Sequence, residues 1–113
     1  MHIEHLRAFC LSLPHATEDV KWGNDLCFCI GGKMFCVTSL SGPYGVSFKV
    51  SDDEFEELST SANIIPAPYV ARYKWVYVTA ESRFADDKWE HYISQSYNLV
   101  KEKLPKKMLS SLV

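Results

Sequence analysis

No apolar run in these 113 residues approaches the ~18 that a membrane-spanning helix requires, and the opening Met1-His2-Ile3-Glu4-His5 lacks the basic-then-apolar order of a secretory leader. Both absences point to a cytoplasmic protein. Glycine and proline are sparse, at five each, and no repeat, low-complexity tract or Gly/Ser linker divides the chain. The expectation is one domain over residues 1–113, large enough to bury roughly two-thirds of the surface its unfolded chain exposes. A charge excess is missing as well. The formal net charge is −2, which excludes a binder that collects polyanions by bulk positive charge.

The usual signatures of chemistry are also missing. The four cysteines form no C-x-x-C pair, and the four histidines (His2, His5, His15, His91) are dispersed with no H-E-x-x-H, so surface or capping roles are expected of them. Gly31-Gly32-Lys33 lacks the upstream glycine, the Ser/Thr after the lysine and the following helix of a phosphate-binding loop. The acidic cluster Asp52, Asp53, Glu54, Glu56 and Glu57 reads as the favourable negative start of a helix. No nucleophile stands with a matched base and oxyanion donor. The chain is therefore read as a non-enzyme with no metal and no cofactor.

What is present is a clear alternation of periods. Ile3, Leu6, Cys10 and Leu13 recur at helical spacing, and Pro14 stops that first helix near Ser12. Leu26–Ile30 and Lys33–Thr38 flank Gly31-Gly32, whose two glycines supply the positive φ angles of a tight primed hairpin turn. Val46, Phe48 and Val50 alternate with Ser47 and Lys49 as a further strand, and a strand near Ala16 to Trp22 is possible before the hairpin. Ser51 and Glu54 form a capping box that starts a short helix at Asp52, ending near Ser59. Thr60 to Tyr73, with Pro66 and Pro68, reads as irregular; Lys74 to Thr79 returns to strand. A last helix from about Asp86 carries Trp89, Tyr92, Ile93, Ser96, Tyr97, Val100 and Leu104 on one stripe, with Pro105 after its end.

The order α, three to four strands, α, one to two strands, α predicts an α+β two-layer sandwich: an antiparallel sheet with helices packed on one face. Strand alternation then turns Phe28, Ile30, Phe35, Val37, Val46, Phe48, Val76 and Val78 inward. Cys27, Cys29, Met34, Cys36, Ser47, Lys49, Trp75 and Tyr77 turn outward. A two-residue turn at Gly31-Gly32 sets Ile30 opposite Lys33 and Cys27 opposite Cys36. In a reducing cytoplasm those thiols are expected free.

Charge is unevenly spread along the chain. Residues 1–56 hold four Lys/Arg against eight Asp/Glu, and residues 57–113 hold eight against six, with Lys101, Lys103, Lys106 and Lys107 crowding the last helix end and its tail. On the uncovered face, Trp75 and Tyr77 are suited to stack on bases or anchor a protein partner. Lys33, Lys49, Arg72 and Lys74 are suited to neutralise phosphates or pair with carboxylates.

Leu13-Pro14-His15-Ala16-Thr17-Glu18-Asp19, Trp22-Gly23, Gly32-Lys33-Met34-Phe35, Val46-Ser47-Phe48-Lys49, Ala67-Pro68-Tyr69 through Lys74-Trp75-Val76, and Ser96-Tyr97 with Leu104-Pro105-Lys106-Lys107 together resemble the MmcQ/YjbR family. The resemblance spans Leu13 to Lys107. It implies a compact α+β fold akin to CyaY-like and secretion-chaperone-like arrangements and a general description as DNA-binding proteins through likeness of the sheet to a double-wing DNA reader, and it offers no established catalytic residues to carry over. Carried onto this chain, the matching basic and aromatic positions are Lys33, Lys49, Tyr69, Arg72, Lys74 and Trp75. The leading expectation is a small regulatory-type DNA-binding protein that uses the open sheet face weakly and salt-sensitively; the alternative is an adaptor that anchors an unidentified protein through Trp75 and Tyr77. A monomer is expected in preference to an obligate oligomer.

Overall fold

The computed structural model describes residues 1–111. Helix α1 (Ile3–Ser12) leads into four consecutive antiparallel strands, β1 (Thr17–Lys21), β2 (Asp25–Ile30), β3 (Lys33–Ser39) and β4 (Val46–Lys49). Helix α2 (Asp52–Leu58) follows, then β5 (Ile64–Pro66), β6 (Trp75–Val78), the long helix α3 (Asp86–Lys101) and the short α4 (Lys106–Ser111). The strands make one antiparallel sheet in the order β1-β2-β3-β4-β6-β5, so β6 inserts between β4 and β5. The α+β reading holds. The sequence pattern did not place β5, inside the stretch expected to be irregular, or α4, beyond Pro105.

Local chemistry accounts for the boundaries. His2 caps α1, its Nδ1 accepting from the His5 N–H at 3.3 Å. At α2 the capping box forms as expected. The Glu54 N–H donates to Ser51 Oγ at 3.3 Å, and the Ser51 N–H donates back to Glu54 Oε1 at 3.1 Å. Gly31 and Gly32 sit at φ 57° and 80°, the primed turn that joins β2 to β3 with Ile30 opposite Lys33.

One register shift decides which side chains face which way. Cys29 pairs with Met34, but Phe28 pairs with Cys36, leaving Phe35 as the extra residue of a β-bulge. Strict alternation would set Phe35 and Val37 inward and Cys36 outward. Instead Phe35 and Cys36 are both fully buried on the helix side and Val37 turns to the other face, where it stands opposite Cys27. The expected outward Cys36, inward Val37 and Cys27–Cys36 pair are corrected accordingly. The bulge is held from α3: Ser96 Oγ donates to the unpaired Phe35 carbonyl at 2.6 Å and accepts from the Lys49 N–H at 2.9 Å. Phe35 also packs edge-on against Tyr97, ring centroids 5.4 Å apart.

The inner face is built in rungs. Phe28, Cys36, Phe48 and Val76 pair across the sheet, and next to them Leu26, Thr38, Val46, Val78 and Ile64. These meet Leu6 and Cys10 of α1, Leu58 of α2 and Trp89, Tyr92, Ile93 and Tyr97 of α3 in a single core. Trp89 is satisfied there, its indole N–H donating to the Glu81 carbonyl at 3.0 Å. Hydrogen bonding to Cys36, and then burial, push the Cys10 thiol above its ordinary range. The alternate rung of Cys27, Val37, Ser47, Tyr77 and Ile65 points away from this core, with none of the described α-helices packed over it.

Candidate functional site

The helix-free face is a groove, not a flat sheet. Two turns raise its walls. At one end, Trp22-Gly23-Asn24 links β1 to β2, with Trp22 at φ 54° and 72 % exposed. At the other side the chain leaves β5 through Ala67-Pro68-Tyr69-Val70, where the Val70 N–H reaches the Ala67 carbonyl at 3.4 Å. Proline at the second position and a positive φ at the third are the pattern of a type II turn, which normally takes glycine or asparagine there. This chain places Tyr69 at that third position, φ 68°, and the side chain is 100 % exposed.

Between the turns lies a hollow of about 780 Å³. Its floor and walls are mostly apolar: Met34 and Val37 from β3, Ile65 from β5, Trp75 and Tyr77 from β6. Among the described residues that line it, Asp25 is the one charged side chain. Tyr77 lies over Gly45, in space that a side chain at that position would need. Trp75 takes the outer side as alternation requires, but it is only 6 % exposed. The expectation of an indole standing in open water is corrected: Trp75 is part of the groove's floor. The Ala67 N–H fastens the neighbouring segment to it, donating to the Trp75 carbonyl at 3.0 Å.

Of the seven residues singled out from sequence, Tyr69, Trp75 and Tyr77 meet in this groove, and the four cations do not line it. Lys33, at the hairpin tip, pairs with Ile30, so it shares the helix side of the sheet. The Lys49 ammonium donates to the Tyr73 carbonyl, and burial, then Lys103 nearby, lower its pKa. Arg72 stacks on the Tyr73 ring at 4.8 Å, and Lys74 reaches 5.1 Å from the Phe55 ring of α2. Sequence reasoning missed Trp22 and Val37. A large apolar residue beside a turn glycine was the available signal for the first; the bulge hid the second.

The thiols near this face are poor nucleophiles. Burial, and then the neighbouring Cys29, push Cys27 up to about 11, and burial raises Cys29 as well. All four cysteines are free and buried. Among the described residues, no group of three or more His, Cys, Asp or Glu side chains is placed to hold a metal ion, and no helix is long and apolar enough to cross a membrane.

The chain matches the family model described as YjbR over residues 11–99. It is similar to a solved Deinococcus radiodurans protein with a DUF419 domain, 27 % identical with a TM-score of 0.86, over 97 % of this chain and 86 % of that one. A solved Pseudomonas syringae protein shares the fold at 15 % identity and a TM-score of 0.72, over 88 % of this chain and 98 % of that one. No curated protein matches.

Proposed function

We propose that this chain, which belongs to the YjbR family, is a binding module that seats an apolar, aromatic-rich segment of a partner protein in the groove on its helix-free sheet face. The observation that carries this reading is the backbone at the two rim aromatics. Trp22 and Tyr69 are the most exposed large hydrophobic side chains described, and both sit at positive φ. That conformation costs roughly 1–2 kcal/mol for a residue with a side chain. Bulky residues persist there chiefly where the surroundings hold them for use. Here they flank a hollow whose surface is suited to an aliphatic or aromatic anchor.

Charge supports the same reading over DNA. A duplex docked over the groove would meet Asp25 and apolar rings: Lys33 and Lys74 lie toward the helices, Lys49 is engaged with a backbone carbonyl, Arg72 stacks on Tyr73, and Lys21 of β1 stands opposite Asp25. Non-specific DNA binding draws on free cations facing the phosphates. The raised thiols Cys27 and Cys29 support a binding role in place of a catalytic one. Four free cysteines fit a reducing, cytoplasmic setting.

Selection of displayed peptides on the purified chain tests the proposal. Enriched peptides rich in Phe, Trp, Leu or Ile, lost when Trp22→Ala and Tyr69→Ala are combined, are the expected result. Equal enrichment by the double variant would overturn it. So would an absence of enrichment alongside duplex DNA binding tighter than about 10⁻⁴ M in low salt.

A further inference from the structure

We infer that β1 is a self-recognition edge, through which two copies of this chain join antiparallel with Val20 facing Val20 of the partner subunit. The two ends of the sheet are built differently. β5 is a three-residue strand closed by Pro66, which has no N–H to offer, and both features blunt an edge against pairing. β1 has five residues, no proline, and no strand among the described residues on its outer side.

Its sequence, Thr17-Glu18-Asp19-Val20-Lys21, fixes how a second copy fits. A two-fold axis between antiparallel strands passes through a residue paired with its own copy. Centring on Glu18, Asp19 or Lys21 sets like charges face to face at the axis, which is unfavourable. Centring on Thr17 pairs no other residue of β1 with β1, whereas centring on Val20 sets apolar against apolar. It also places Asp19 opposite Lys21 of the partner subunit and Lys21 opposite Asp19 of the partner subunit. Among these centres, it is the register that sets both Asp19 and Lys21 against opposite charge. Glu18 falls opposite Trp22 of the partner subunit with its charge already matched, its carboxylate accepting from Arg7 at 2.7 and 2.6 Å.

The ground under the edge suits this contact. Val20 is 52 % exposed and Leu40 is also exposed, and with Ile3 and Leu26 they line a hollow of about 580 Å³ between α1 and β1. The paired strands would cover its open side. This interface meets the groove proposed above only at Trp22, which flanks the strand; β1 itself contributes no residue to that hollow.

Sedimentation equilibrium on the full chain over a concentration series tests the inference. The wild-type chain is expected to dimerise reversibly. Asp19→Lys sets cations against each other at both symmetric positions and weakens the dimer by about tenfold or more. Lys21→Asp does the same with anions, and the double charge swap restores wild-type association. All four proteins should give matching circular dichroism, since Asp19 is exposed and Lys21 half-buried. A wild-type chain that stays monomeric up to about 1 mM, where association is worth only about 4 kcal/mol, overturns the inference. A dimer indifferent to the single changes, or not restored by the swap, overturns it equally.

Discussion

The Tyr77 ring lies directly over Gly45, its Oη and ring atoms filling the position that a side chain there would occupy. Gly45 has no left-handed backbone to justify it; it is present for space. The contact lays Tyr77 down across the sheet and so shapes the groove floor between Val37 and Trp75.

Gly45→Ala is therefore expected to destabilise the fold by about 1–3 kcal/mol through overpacking, and to lift Tyr77 into the groove. Adding Tyr77→Ala should recover most of that loss. Chemical denaturation of the two single variants and the double measures the coupling. Additive effects would mean that the two residues do not compete for the same space.

Ser96 holds the β3 bulge. Its hydroxyl bonds both the Phe35 carbonyl and the Lys49 N–H, so Ser96→Ala strands one buried and one half-buried backbone group. The expected loss is about 2–4 kcal/mol, larger than an ordinary surface serine would give. Faster hydrogen exchange at the Lys49 amide should accompany it.

The rim and the floor should separate cleanly. Tyr69→Ala leaves stability within about 0.5 kcal/mol, as an exposed turn residue should. Tyr69→Gly should be more stable than Tyr69→Ala by about 1 kcal/mol, because glycine relieves the left-handed backbone. Trp75→Ala, in contrast, empties a buried site and should cost about 3–5 kcal/mol. Peptide binding should fall in all three. Thermal unfolding read beside binding makes the distinction.

Alkaline pH should destabilise the chain through Cys27. Its thiol is pushed from 9.0 to about 11 in the folded protein, so the unfolded chain holds fewer protons between those values. Stability is fully present below pH 9 and declines as pH rises toward 11. Raised Tyr92 and Tyr97 act in the same sense. Cys27→Ala should shallow the decline, and an unchanged slope would show that Cys27 does not contribute it.

Much of this was legible in the residues. The 3.6-residue stripe from Trp89 to Tyr97 yields α3, the Ser51/Glu54 box yields α2, and Gly31-Gly32 yields the hairpin. What escaped belongs to pairs of elements and not to single stretches. The Phe35 bulge is a mismatch between two strands, stabilised by a serine 61 residues away, and it exchanges the faces of Cys36 and Val37. β5 is three residues long and exists because β6 lies beside it. The burial of Trp75 depends on how the 67–70 turn is tied down, which alternation cannot disclose. Ala67-Pro68-Tyr69 did carry a turn signal, but nothing local marks tyrosine as the residue held at positive φ.

Three indole N–H signals offer the most direct test of the groove. Trp22 stands on its rim and Trp75 in its floor, while Trp89 is locked in the core by its bond to the Glu81 carbonyl. Titrating the ¹⁵N-labelled chain with a peptide selected on it should shift the Trp22 and Trp75 signals together and leave Trp89 in place. If those two indoles stay fixed while amides around Lys33, Lys74 and Lys103 move, the partner lies elsewhere and the groove is not its seat.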